Sequence, residues 1–215
     1  MKNKEKKSFL EGIFFDLDYC QSFEKRVEIV AMIATSVDGF KIGAKTINNK
    51  GATIIELINK LNKKILMPFN FLNLFTEDEP QNVIFYHHNT DDEVKFTRDK
   101  AGNNLLVGVI DNTDTDRNLL IQHVRQYKEG GFDFILLPSN FLDHLNKSGE
   151  FDDIPKVIYN LFLSENERHG HRLTPNEAIG RGVNAFILGR EVRGADKDSI
   201  YFKIHIMKED MESAP

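Results

Sequence analysis

A glycine followed by an arginine, Gly189-Arg190, closes a short apolar run in the stretch TPNEAIGRGVNAFILGREVRGADKD, residues 174–198. At the end of a strand such a pair can grip an anion. Glycine lets a backbone N–H approach closely, and arginine offers a planar fork of donors that matches phosphate oxygens. Other reactive side chains also follow apolar runs. Asp16 and Asp18 follow GIFF, Lys41 lies in GFKIG, and His87-His88 end NVIFYHH. Asp111–Asp114, with Thr113 among them, follow NLLVGVI, and Arg168, His169, His171 and Arg172 lie in the polar stretch SENERHGHRL.

The elements that must position these residues follow a βα rhythm. Short apolar runs at 12–17, 39–43, 64–71, 82–87, 104–110, 132–137, 156–161 and 185–188 read as strands. Segments 22–35, 52–61 and 118–127 carry apolar residues at helical spacing. A further helix starts at Pro175, with Thr174 as its cap and Glu177 completing a capping box. Residues 75–81 are too few for a crossover helix, and the polar 89–103 reads as a hairpin or irregular loop. Eight units favour an α/β fold, a closed (β/α)8 TIM barrel with irregularity around strands 3–5, whose site lies at the C-terminal strand ends. We expect a basic frayed terminus over 1–9, one barrel domain over 10–205 and a tail over 206–215.

Composition narrows the function classes. The chain has 215 residues, 28% charged, with a net charge of -5; its only basic cluster is Lys2–Lys7, read as a solvated terminus, which argues against a general nucleic-acid binder. Cys20 is the single cysteine, so no intrachain disulfide forms. No apolar run reaches membrane-spanning length and no secretory leader is evident, so a soluble, cytoplasmic protein is expected.

VDGFKIG at 37–43 and the C-terminal stretch around Gly189-Arg190 resemble the orotidine 5'-monophosphate decarboxylase family. The resemblance covers residues 10–200, least closely in the middle third. It implies a dimeric (β/α)8 barrel that converts orotidylate to UMP without a cofactor. It also implies an Asp at the end of strand one that contacts the ribose (Asp18, or Asp16 if the strand is shifted by two), Lys41 in the catalytic charge network, and Gly189 and Arg190 on the phosphate. The family's phosphate-gripping Gln after strand seven has no clear counterpart, and His171 or Arg172 is the candidate replacement. The family's Asp-x-Lys-x-x-Asp on strand three is missing: Pro68, Asn70 and Asn73 stand there. Proline has neither charge nor N–H, and asparagine cannot act as a cationic acid. The expectation is a pseudoenzyme that binds a phosphorylated small molecule such as a UMP-like nucleotide, as a homodimer, without metal or cofactor. The alternative is a divergent lyase with altered chemistry, a carboxy-lyase type if active, using Lys41, Asp18 and His87.

A second alternative is a haloacid-dehalogenase-type phosphatase. Asp16-Leu17-Asp18 after an apolar strand resembles the start of that family, with the first Asp as nucleophile and the second as general acid. It would also need a later lysine and an acidic pair for Mg2+, for which Asp91-Asp92 and Asp152-Asp153 are available. Adjacent strand residues face opposite sides, so only one of His87 and His88 can enter the barrel mouth. Thr113 and its neighbours fit either a ligand contact or a capped turn.

Overall fold

The computed structural model describes residues 10–74, 82–88, 93–110, 117–159, 161 and 173–214. Eight parallel strands close into a barrel in sequence order. They are β1 (Gly12–Asp16), β2 (Gly39–Lys41), β3 (Lys64–Pro68), β4 (Val83–His87), β5 (Leu105–Val109), β6 (Phe134–Pro138), β7 (Lys156–Tyr159) and β8 (Val183–Leu188), and β8 pairs with β1 to seal the ring. The chain is thus a (β/α)8 TIM barrel, as its rhythm predicts. The helices are α1 (Phe23–Ile33), α2 (Ala44–Ile47), α3 (Gly51–Lys60), α4 (Glu93–Ala101), α5 (Arg117–Glu129), α6 (Leu142–Lys147), α7 (Pro175–Ile179) and α8 (Lys197–Glu212).

Two expectations are corrected here. Residues 93–101 form α4 rather than a hairpin or irregular loop, and α8 runs to Glu212, through most of the expected tail. Asp196 caps α8, accepting from the Ser199 N–H at 2.7 Å. Ile200, Ile204 and Met207 then bury one helical stripe. The capping box of α7 forms as expected from Thr174 and Glu177.

Strand parity divides the core. Phe14, Leu66, Ile84, Val107, Phe134, Val157 and Ala185 point into the barrel and fill it. Their neighbours Phe15, Ile65, Phe85, Leu106, Ile135, Ile158 and Phe186 point outward and pack under the helices. The outer layer is tight at Gly108. A Cβ there would lie 2.3 Å from Cγ of Tyr127, a fully buried ring whose hydroxyl donates to the carbonyls of His87 and Val109. Gly108→Ala should therefore destabilise by about 1–3 kcal/mol through overpacking. Urea unfolding should show a lower midpoint with an unchanged slope.

Candidate functional site

The inward stripe turns polar at the C-terminal mouth. Register pairs Asp16 with Lys41 across β1 and β2, and the Lys41 ammonium donates to Asp16 Oδ2 at 2.7 Å. Asp16 Oδ1 accepts from the Asp18 N–H at 3.0 Å, so both oxygens of this buried carboxylate are held. The Lys41 ammonium also lies 5.2 Å from the centre of the Tyr86 ring, a cation–π contact from β4. Of the two aspartates it is Asp16 that meets Lys41.

Asp18 has a different task. Its Oδ1 accepts from the Gly43 N–H at 3.2 Å, the Thr46 N–H at 3.0 Å and the Thr46 hydroxyl at 2.6 Å. It thereby ties the turn after β1 (the 3-10 segment Leu17–Tyr19) to the start of α2. A Cβ on Gly43 would stand 2.1 Å from Asp18 Oδ2, which accounts for the glycine in VDGFKIG.

Protonation follows from burial. Burial opposes a charge on Lys41, but Asp16, together with Tyr86 and Asp18, outweighs it and holds the ammonium above its ordinary value of 10.5. Burial raises the Tyr86 phenol to about 12, although Lys41 pulls the other way. Burial likewise pushes the Cys20 thiol up to about 11, which removes it as a nucleophile at neutral pH. Lys41, Tyr86 and Cys20 are therefore protonated near neutrality and can donate hydrogen bonds but not take protons.

Beside the ion pair lies a hollow of about 730 Å³. Its charged lining is Asp16, Asp18, Arg26, Lys41, Lys45 and Arg193, four cations against two carboxylates. The sign is opposite to that of the chain as a whole and favours an anionic ligand. Arg26, Lys45, Tyr86 and Arg193 were not singled out by the sequence. Arg26 carried a signal: it falls on the apolar stripe of α1 with Phe23, Ile29 and Ile33, where a charge is out of place. Tyr86 carried one too, as the inward neighbour of Ile84.

The remaining expected residues divide. His87 points outward, between the rings of Phe69 and Phe132, which corrects its assignment to the ligand. His88 instead packs edge-to-face against Tyr86 at 5.3 Å between ring centres. Pro68 ends β3 on the inward parity, and Asn70 and Asn73 are exposed on the 3-10 segment Phe69–Leu74. Thr113, His171 and Arg172 lie outside the described residues. Arg190 is exposed, and the Gly189 N–H donates to Glu191 Oε2 at 3.0 Å. Gly189 is also required sterically, because a Cβ would stand 2.6 Å from the Tyr19 ring and 3.0 Å from Asp16 Cβ.

Among the described residues the geometry does not support the phosphatase alternative. Asp16 is held by Lys41, Asp18 is committed to α2, and Asp152 and Asp153 precede β7, at the opposite end of the barrel. Asp91 and Asp92 lie outside the described residues. Among the described residues no group of three His, Cys, Asp or Glu side chains could hold a metal ion. No described helix is long and apolar enough to cross a membrane.

The sequence matches no protein-family model and no curated protein. Solved structures do resemble the fold. Orotidine 5'-monophosphate decarboxylase from Methanocaldococcus jannaschii, in complex with the inhibitor BMP, superposes with a TM-score of 0.68 at 18% identity, over 94% of this chain and 98% of that one. Thiamine phosphate pyrophosphorylase from Pyrococcus furiosus gives 0.67 at 12% identity, over 96% and 97%. An uncharacterized conserved protein from Geobacillus kaustophilus gives 0.62 at 15% identity, over 93% and 99%. At these identities the likeness establishes the barrel fold.

The Asp16–Lys41 pair has a titration signature. A lysine held above its ordinary value adds stability that is fully present below that value and lost as pH rises through the folded one. In wild-type protein the Lys41 side-chain carbon signal should stay in its protonated position beyond pH 10.5. In Asp16→Asn burial acts with less opposition, and the same NMR titration should move to lower pH. An unmoved curve would mean that Asp16 does not set the state of Lys41.

Proposed function

We propose that this protein is a ligand-binding barrel of decarboxylase-like architecture that holds a phosphorylated small molecule, such as a UMP-like nucleotide, at its C-terminal mouth without the standard decarboxylation chemistry. The make-up of the mouth carries the proposal. The Asp16–Lys41 pair is present and cations dominate the hollow, while Pro68 and Asn70 stand where a carboxylate and a second lysine would be needed. Decarboxylation needs a group that stabilises a carbanion and then delivers a proton to it. Asparagine can donate a hydrogen bond but lacks the positive charge. Lys41 is a cation but is bound to Asp16.

The hollow falls within the range of about 300–1,000 Å³ typical of small-molecule sites. Two of the structural neighbours are named for phosphorylated molecules, orotidine 5'-monophosphate and thiamine phosphate. The homodimer and the cytoplasmic setting expected from the resemblance belong to the same proposal. Sedimentation at micromolar concentration reads the dimer.

UMP should raise the melting temperature and give a saturable calorimetric isotherm. At a ligand concentration of about 100 times Kd the added stability is about 2.7 kcal/mol. Lys41→Met should weaken UMP, by loss of a charged hydrogen-bond donor. Orotidylate should be recovered unchanged after incubation with the protein. Turnover at an ordinary rate would instead establish a divergent lyase working without the strand-three motif.

A further inference from the structure

Neither Gly189 nor Arg190 is among the residues that line the hollow. Glu191 already fills their corner. Its Oε2 accepts from the Gly189 N–H at 3.0 Å and its Oε1 from the Leu161 N–H at 3.1 Å. These amides follow the ends of β8 and β7 and converge on one point, which is the arrangement an external anion would use. The chain supplies its own anion there. A phosphate arriving at the same amides would meet a carboxylate.

The adjoining side of the mouth, next to β8 across the β1–β8 seam, carries a cation with no counter-ion among the described residues. Arg26 is 3% exposed. Its Nε donates to the Leu17 carbonyl at 3.2 Å and its Nη2 to the Cys20 carbonyl at 3.1 Å. Its Nη1 is buried without a hydrogen-bond partner, and no carboxylate forms an ion pair with it among the described residues. Buried charges are ordinarily paired, so an uncompensated guanidinium in the wall of a cavity favours an anion inside that cavity. Lys45 and Arg193, both exposed and both lining the same hollow, can close on that anion from the rim.

We infer that the anionic group of the ligand is held in the hollow beside β1, between Lys45 after β2 and Arg193 in the loop after β8, with the buried Arg26 charge behind them, and not at the Gly189-Arg190 corner. This placement rests on the phosphorylated ligand proposed above. It assigns Glu191 the role of an internal anion that closes the β7–β8 corner and leaves the adjoining hollow beside β1 to a phosphomonoester.

UMP binding measured by calorimetry, with inorganic phosphate as competitor, tests the placement. Lys45→Ala and Arg193→Ala should each weaken UMP by about tenfold or more, the loss expected for one charge-assisted contact. Inorganic phosphate should compete in wild-type protein and compete less well in both variants. Arg190→Ala and Glu191→Gln should leave the UMP affinity unchanged. The reverse pattern has affinity lost in Arg190→Ala, gained in Glu191→Gln and untouched in Lys45→Ala and Arg193→Ala. That outcome would put the phosphate at the corner and overturn the placement while leaving the proposed ligand standing. A wild-type protein that binds neither UMP nor phosphate would overturn both. Arg26 braces the loop after β1, so its replacement can unfold that loop, and the exposed Lys45 and Arg193 carry the test.

Discussion

The contact between Asp16 and Lys41 is the constraint on which the mouth of this barrel depends. Below it the barrel is filled with aromatic and aliphatic side chains, and above it lies the hollow. A lysine and a carboxylate at that boundary each lose much of their hydration, and removing one partner of such a pair costs about 3–5 kcal/mol. The pair therefore fixes the register of β1 against β2 as well as the chemistry. Asp16 Oδ1 holds the Asp18 N–H, and Asp18 in turn holds the start of α2. Two carboxylates separated by one residue thus do unlike work. One faces into the barrel on a cation, and the other ties two loops together.

The same pair bears on which groups at the mouth hold a proton. Lys41 is stabilised as an ammonium, and its nearest aromatic neighbour, Tyr86, is stabilised as a phenol. A mouth that keeps these donors protonated is suited to orienting polar groups and balancing charge. Proton abstraction would fall to Asp16 or Asp18, and both are engaged in hydrogen bonds. At β3 the mouth carries Pro68, followed by Asn70, and neither bears a charge.

The strands are legible in the sequence because a parallel strand buried on both faces reads as a short continuous apolar run between turn residues. FDFILL and NVIFYH have that form, and the structure moves their limits by only one or two residues. Parity then decides direction, which is why one of the two adjacent histidines had to leave the mouth. α4 is harder to read because its sequence, EVKFTRDKA, is largely polar and its apolar residues are sparse. α8 does carry the signal, since Ile200, Ile204 and Met207 recur at helical spacing behind an Asp cap. The roles of Glu191 and Arg193 leave no trace of this kind. They depend on how two loops fold back over the strand ends, and neither period nor spacing encodes that.

Gly189 shows how a residue that suggests a phosphate site can be required by packing instead. A glycine at the end of β8 invites the reading that a backbone amide must approach a phosphate. In this barrel the glycine is already required by the Tyr19 ring and Asp16 Cβ, which leave no room for a side chain, and its amide is already bonded to Glu191. Packing and an internal carboxylate are enough to account for it. The residue that lacks such an explanation is Arg26. Burying a guanidinium with one nitrogen unpartnered is costly, and bracing the Leu17 and Cys20 carbonyls uses only Nε and Nη2. A positive charge maintained in the wall of an otherwise well-satisfied mouth is a stronger indication of an anion than a glycine that packing already demands.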